Sequence, residues 1–340
     1  MSINTSASDL GRELYRAVWQ LVNQTFFDTA RLAHWGSLEH QYDNEIVDEE
    51  SALRCIDAML LTLNDDFTWA ERVNKPAPAC AEASATQAAT DAPDSTGSAV
   101  PAAEPEPVMA VLRPDGIGYI RILTLDHPGI LDLIEAGAQK IAACKGVVLD
   151  LRNNVGGDVQ TTAAACGSFL KDGLVTTMEM RHADGGIERT EYALSDDEFF
   201  ANEYVPGLPP TSKRYLRSAP VLADKPIVVL INKRTMSAAE LMTAAIVQNG
   251  TAGKVLMVGN GATPGKGIGQ TNYLFMEGKY RVRVTRVRWF APGGDWLGDC
   301  GQTVRNPIEP DVLVPEDRGI EGVQVAFKEL RKMLDAAEAA

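Results

Sequence analysis

Three short stretches carry residue types that can do chemistry. Ser237-Ala238-Ala239-Glu240 follows a strand and turn and opens a helix. One reading is a capping box, with Ser237 and Glu240 satisfying orphan backbone N–H groups. The other is a nucleophile, placed where free N–H groups and the positive end of the helix dipole can hold an oxyanion, the Ala238 N–H among them. A serine nucleophile needs a base. His127 has no matching acid motif and reads as a loop residue. Lys266, in Gly265-Lys266-Gly267-Ile268-Gly269-Gln270, is the other candidate. Keeping a lysine neutral at pH 7 costs about 4–5 kcal/mol from its usual pKa near ~10.4. Burial away from water can supply that much. Gln270 lies four residues on, where its side chain could accept from the amine and orient it. The plainer alternative is a solvated loop lysine. A phosphate loop is excluded, because its pattern needs Gly at 260 and Ser or Thr at 267, where Asn260 and Gly267 stand. The third stretch is Asn153-Asn154-Val155-Gly156-Gly157. Its glycines read as a tight turn or as N–H groups presented to an anion.

The elements that must hold these stretches follow from periodicity. Leu14, Val18, Leu21 and Val22 recur at helical spacing, as do Ala52, Cys55, Ile56, Met59 and Leu60 ahead of the turn at 64–66. Strands are expected at 108–112 and 117–123, then a helix at 130–143, a strand at 147–151 and a helix at 158–170. Two more strands flank the turn at 183–186. The apolar strand 227–231 leads into a helix from Ser237 to Gln248, with Asn249-Gly250 as its C-cap. Strands at 256–259, 270–276 and 280–290 and a last helix at 321–339 complete the chain. Strand and helix alternate from Val147 to Gly259, which implies βαβ units and chemistry at the carboxyl ends of strands. Both the Asn153 stretch and the Asn232-to-Ser237 stretch lie at such ends.

The chain divides into an N-terminal helical region (1–71), an Ala/Pro-rich segment too poor in apolar residues to form a core (72–107) and an α/β body (108–340). A net charge of −14 over 340 residues argues against nucleic-acid binding. Arg281, Arg283, Arg286 and Arg288 then read as the solvated face of a strand. Five cysteines (Cys55, Cys80, Cys144, Cys166, Cys300), none at metal-ligand spacing, read as unpaired thiols. No apolar run approaches the ~20 residues of a membrane span. The polar N-terminus lacks an export signal, so the chain as written is expected in the cytoplasm, or in the periplasm if its start lies upstream.

Taken in order, these motifs resemble the tail-specific, or C-terminal processing, serine peptidases (peptidase S41). That family carries a Leu-Arg-Asn-Asn-x-Gly-Gly run, matched by Leu151 to Gly157, and a Ser-Ala-x-Glu helix start, matched by Ser237 to Glu240. Gly265 to Gln270 match its Gly-Lys-Gly-x-x-Gln element. Leu63 to Thr68, Trp289 to Gly294 and Pro307 to Val312 resemble flanking motifs. The resemblance implies an α/β fold shared with ClpP and crotonase-like enzymes, and peptide hydrolysis through an acyl-enzyme. It makes Ser237 the nucleophile, Lys266 the general base and Gln270 its orienting partner. The N–H groups of Ala238 and of Gly156 or Gly157 become the oxyanion hole. It implies a protein or peptide substrate and no cofactor or metal, and leaves an oligomer or gating partner open. Where the family holds a PDZ domain, this chain has the Ala/Pro-rich segment. The Ser237-to-Lys266 interval is also a few residues longer than usual, and Pro264 replaces an aromatic. A non-catalytic protein on the same fold, binding an apolar ligand or acting as a scaffold, is the alternative.

Overall fold

The computed structural model describes residues 6–73, 105–251, 253–314 and 320–339. Most of the Ala/Pro-rich segment therefore lies outside the described residues. Arg72, expected in that segment, instead ends a strand.

The elements run in the order α1 (Ala7–Thr25), α2 (Glu49–Leu61), β1 (Trp69–Arg72), β2 (Val108–Leu112), β3 (Ile117–Ile122), α3 (Ile130–Lys140), β4 (Gly146–Asp150) and α4 (Val159–Ala165). They continue with β5 (Gly173–Arg181), β6 (Ile187–Leu194), β7 (Glu198–Tyr204), β8 (Thr211–Leu216), β9 (Ile227–Ile231) and α5 (Ala238–Asn249). β10 (Val255–Gly259), β11 (Ile268–Phe275), β12 (Tyr280–Phe290), β13 (Val312–Leu313) and α6 (Ile320–Glu338) complete the fold.

One sheet has the order β13-β10-β9-β4-β3-β2, parallel except for β2. Its central strands Gly146–Asp150 and Ile227–Ile231 are buried at every position, as continuous apolar runs in a sheet covered on both faces must be. Alternate side chains serve two cores. Val147, Leu149, Val229 and Ile231 face α3, α4 and α5, while Val148, Val228 and Leu230 face Ala326, Phe327 and Leu330 of α6.

The second sheet is antiparallel, in the order β1-β12-β5-β6-β7-β8, with β11 also on β12. Its inner residues Val175, Tyr192, Phe199 and Trp289 pack on the same helices, so the helices lie between two sheets. The N-terminal helices form a third core against Tyr280, Val282 and Val284 of β12.

The sequence reading misses β1, β7, β8 and β13. β8 is exposed throughout, so no hydrophobic period marks it. The expected 158–170 helix is shorter and finishes as a 3₁₀ turn at Cys166–Ser168. Gly250 caps α5 in extended rather than left-handed conformation. Glycine is needed there for space, because an added Cβ would sit 2.4 Å from Val255 and 2.5 Å from the Ile246 carbonyl. The four described cysteines are free thiols.

Candidate active site

The ends of β4 and β9 are bolted together side by side. Asn232 Nδ2 donates to Asn153 Oδ1 at 3.1 Å, and the Asn153 N–H donates to Asn232 Oδ1 at 3.1 Å. The Thr235 hydroxyl donates to the Leu151 carbonyl at 2.9 Å and accepts from the Asn232 N–H. Met236 N–H reaches the Asn154 carbonyl at 2.9 Å. These bonds bring the Asn153–Gly157 turn against the start of α5, where Ser237 sits.

Ser237 has φ 57° and ψ −123°, a region L-residues rarely enter. Holding it costs about 1–3 kcal/mol, which the surrounding bonds must offset. The capping box expected here is in place, with both of its contacts present, but only one of them is a hydrogen bond. Glu240 Oε2 accepts the Ser237 N–H at 2.8 Å, but the Glu240 N–H goes to the Ser237 carbonyl. Among the described residues the Ser237 hydroxyl has no hydrogen bond, so it is not spent on the helix.

Glu240 is fully buried and binds both halves of the site. Oε2 also accepts from Lys266 N–H at 2.9 Å, and Oε1 from Gly265 N–H at 2.8 Å. The backbones of Ser237 and Lys266 thus meet on one oxygen atom. Burial pushes the Glu240 pKa up, against the hydrogen bonds from Thr263, Lys266, Gly265 and Ser237.

Lys266 is 7% exposed, which excludes the solvated-loop reading. Its amine lies 4.1 Å from the centre of the Phe67 ring. Burial first, and then the charge of Arg283, push its pKa down to about 8, against the pull of Cys300, Glu240 and Asp65. Its chain segment pairs with 298–300 through the Lys266–Asp299 bridge and the 2.7 Å bond from Gly267 N–H to the Gly298 carbonyl. Asp299 accepts from Thr303, Val304 and Arg31. Among the described residues no hydrogen bond joins the Lys266 amine to the Ser237 hydroxyl.

Gln270 lies on β11, four residues after Lys266, but its side chain points to other partners. Its Oε1 accepts from Arg283 at 3.2 Å, and its Nε2 donates to Thr285 Oγ1 at 3.4 Å. Arg283, read from sequence as part of a solvated face, is 8% exposed and lies inside the site. Arg286 and Arg288 are also engaged, with the Tyr273 hydroxyl and with Glu179. The burial of Arg283 overturns the solvated-face reading for that residue, while the side chains of Arg281 and Arg288 stay 33% and 42% exposed.

The two glycines differ. Gly156 N–H donates to Asn154 Oδ1 at 2.9 Å, while among the described residues the N–H groups of Gly157 and Ala238 donate no hydrogen bond. Gly156 is instead a close-approach position, with φ 99°. A Cβ there would lie 2.8 Å from the Ala238 nitrogen and 2.9 Å from Ser237 Cβ. His127 is an exposed loop residue.

Sequence reasoning missed Arg283, Phe67, Arg31 and Asp299. Phe67 sits within the Leu63–Thr68 motif, the one signal available. The others are brought in by pairing across the chain.

The model of peptidase family S41 matches residues 116–314. The chain is 28% identical over 197 residues to the carboxy-terminal processing protease CtpA of Bacillus subtilis, covering 58% of this chain and 36% of that protein. It is 28% identical over 198 residues to the chloroplastic carboxyl-terminal-processing peptidase 1 of Arabidopsis thaliana, covering 57% and 33%. It therefore spans little more than a third of these relatives' length. Among solved structures, a photosystem II D1 C-terminal processing protease aligns over 94% of this chain and 96% of its own, with TM-score 0.60 and 16% identity. A lipoprotein from Streptococcus agalactiae aligns over 95% and 96%, with TM-score 0.58 and 13% identity. The two structures share the fold, and the family match spans the strand ends, the serine turn and the lysine segment: this chain belongs to peptidase family S41.

Proposed function

We propose that this chain is a serine endopeptidase that cleaves peptide bonds through an acyl-enzyme on Ser237. Lys266 is the general base. The observation that carries the reading is a serine hydroxyl left unspent at a strained helix start, tied through Glu240 to a buried lysine whose pKa is pushed down to about 8.

At pH 7 about a tenth of such a lysine is neutral, against less than a thousandth of a free one. The neutral amine takes the hydroxyl proton as Oγ attacks the substrate carbonyl. Negative charge then develops on the carbonyl oxygen beside the N–H groups of Ala238 and Gly157, which donate to no acceptor among the described residues. Lys266 returns its proton to the leaving amine, and water repeats the sequence to release the acyl group. The hydroxyl and amine close to hydrogen-bond distance when substrate seats, as catalytic contacts often tighten only in the complex. Gln270, on β11 four residues after Lys266, bonds to Arg283 and acts on the amine through it.

The missing hydroxyl–amine bond also suits a non-catalytic binding or scaffold protein on this fold. A fluorophosphonate probe separates the two. Labelling of the wild type, lost in Ser237→Ala, and casein cleavage lost in Lys266→Ala are expected. An unlabelled wild type that co-purifies with a lipid in native mass spectrometry refutes the peptidase reading.

A further inference from the structure

The residue that departs most from expectation is Arg283. A guanidinium 8% exposed stands in β12, which pairs with the strand following Lys266. It takes the Gln270 carbonyl oxygen at 3.2 Å, the acceptor that the resemblance assigns to the lysine. Gln270 in turn reaches Thr285 Oγ1, and the Thr285 N–H donates to Thr68 Oγ1 at 3.0 Å. The Thr68 hydroxyl donates to Asp65 at 2.6 Å, closing the turn that holds Phe67 under the amine. One side-chain network thus sets everything around Lys266 on that side, and Arg283 is its charged end.

We propose that Arg283 is a positioning residue for the lysine base, withdrawing the Gln270 carbonyl from the amine and opposing the amine's protonation through its own fixed charge. Two effects act in the same direction. A carbonyl oxygen accepting from the amine would favour the ammonium, and Arg283 removes it. A neighbouring cation disfavours a second one. The groups facing the amine are Arg283 from β12, Glu240 from α5, Asp65 and Phe67 from the turn before β1, and Cys300 from the paired segment. Of these, Glu240, Asp65 and Cys300 favour the charged amine, so Arg283 is the side chain that balances them. Trp69 lies 6.0 Å from the guanidinium carbon and limits how far it can swing. The inference takes Lys266 as the base of the proposed function, but its test does not need turnover.

The test is a titration of the Lys266 amine by ¹³Cε-lysine NMR on the full chain, its resonance assigned by its loss in Lys266→Arg. In Arg283→Met the midpoint moves to higher pH. In Arg283→Lys, which keeps the charge, it stays near the wild-type value. Arg283→Gln, which retains a hydrogen-bond donor without charge, moves as methionine does and serves if that variant does not melt cooperatively. A midpoint unmoved in both neutral variants overturns the inference, whether or not Ser237 reacts with a fluorophosphonate. With an active enzyme, the acid limb of labelling moves with the midpoint. The Arg283→Met rate at pH 7 then falls about tenfold for each pKa unit gained, while the alkaline plateau is kept. An equal loss at every pH in both Arg283→Met and Arg283→Lys shows a merely structural role and overturns it as well.

Discussion

Lys266 is held in the wrong environment for a charge, and both its reactivity and its cost follow from that. With a pKa pushed down to about 8, the fraction of neutral amine rises through the mildly alkaline range. Fluorophosphonate labelling of Ser237 should therefore climb with pH to a plateau, half-maximal near pH 8. A rate independent of pH from 6 to 10 would remove Lys266 as the base. The same shift is a statement about stability. Between the folded value and the unfolded one near ~10.4 the unfolded chain holds a proton that the folded chain does not, so wild-type stability rises with pH across that window. Below it the burial cost is present in full. Lys266→Met should thus be more stable than wild type by about 3 kcal/mol at pH 7, with the gain fading above pH 8 and gone beyond ~10.4. Urea melts at pH 7 and pH 10.5 measure this, and a destabilised methionine variant at pH 7 would contradict it.

At the scale of elements, the site is a junction of two strand ends and one helix start. Gly156 shows how tight it is. A methyl there meets the Ala238 nitrogen and the Met236 carbonyl, both at 2.8 Å, and φ 99° is foreign to alanine. Gly156→Ala should abolish labelling of Ser237 while α5 stays folded by circular dichroism. Labelling within about threefold of wild type would mean that the turn relaxes freely. Glu240 is the other half of the junction. Glu240→Gln keeps one acceptor oxygen but sets an amide N–H against the donors on the other side, the Gly265 N–H at the least, and should cost about 2 kcal/mol. A neutral result in denaturant melts would show that the carboxylate is not the tie. The serine turn, the glycine run and the lysine segment were legible because each needs special residues in a short window. The capping pattern at Ser237-to-Glu240 was legible too, but its meaning was not, since only coordinates show the carboxylate reaching past the serine to Lys266. Gln270 was found by spacing and its partner was not, because the Arg283 contact is set by strand pairing. β8 gave no signal for the same reason that it carries no core.

Over the whole molecule, the N-terminal region forms a wall of the candidate site. β1 pairs with β12, Phe27 N–H donates to the Thr285 carbonyl at 3.1 Å, and Phe67 lies under the amine. The strongest tie is Arg31, 9% exposed, which ion-pairs with the buried carboxylate of Asp299, the residue bridged to Lys266. Arg31 also donates to the Asn64 carbonyl at 2.9 Å, so one guanidinium joins the end of α2 to the lysine's partner segment. Breaking a buried pair from one side leaves a charge without its counterion and typically costs about 3–5 kcal/mol. Asp299 keeps the bonds from Thr303 and Val304, so the lower end applies. Arg31→Ala should then lower stability by roughly 3 kcal/mol and slow Ser237 labelling, because the 298–304 loop that backs Lys266 loosens. Asp299→Asn leaves Arg31 paired with Asp28 at 3.1 Å but sets an amide N–H among the donors from Arg31, Thr303 and Val304, and should cost a similar amount. If the two act as one tie, the double variant loses much less than the sum, with a coupling of about 2 kcal/mol or more in a double-mutant cycle. A coupling near zero, with labelling unchanged in Arg31→Ala, would mean that the N-terminal helices rest on β12 without bracing Lys266.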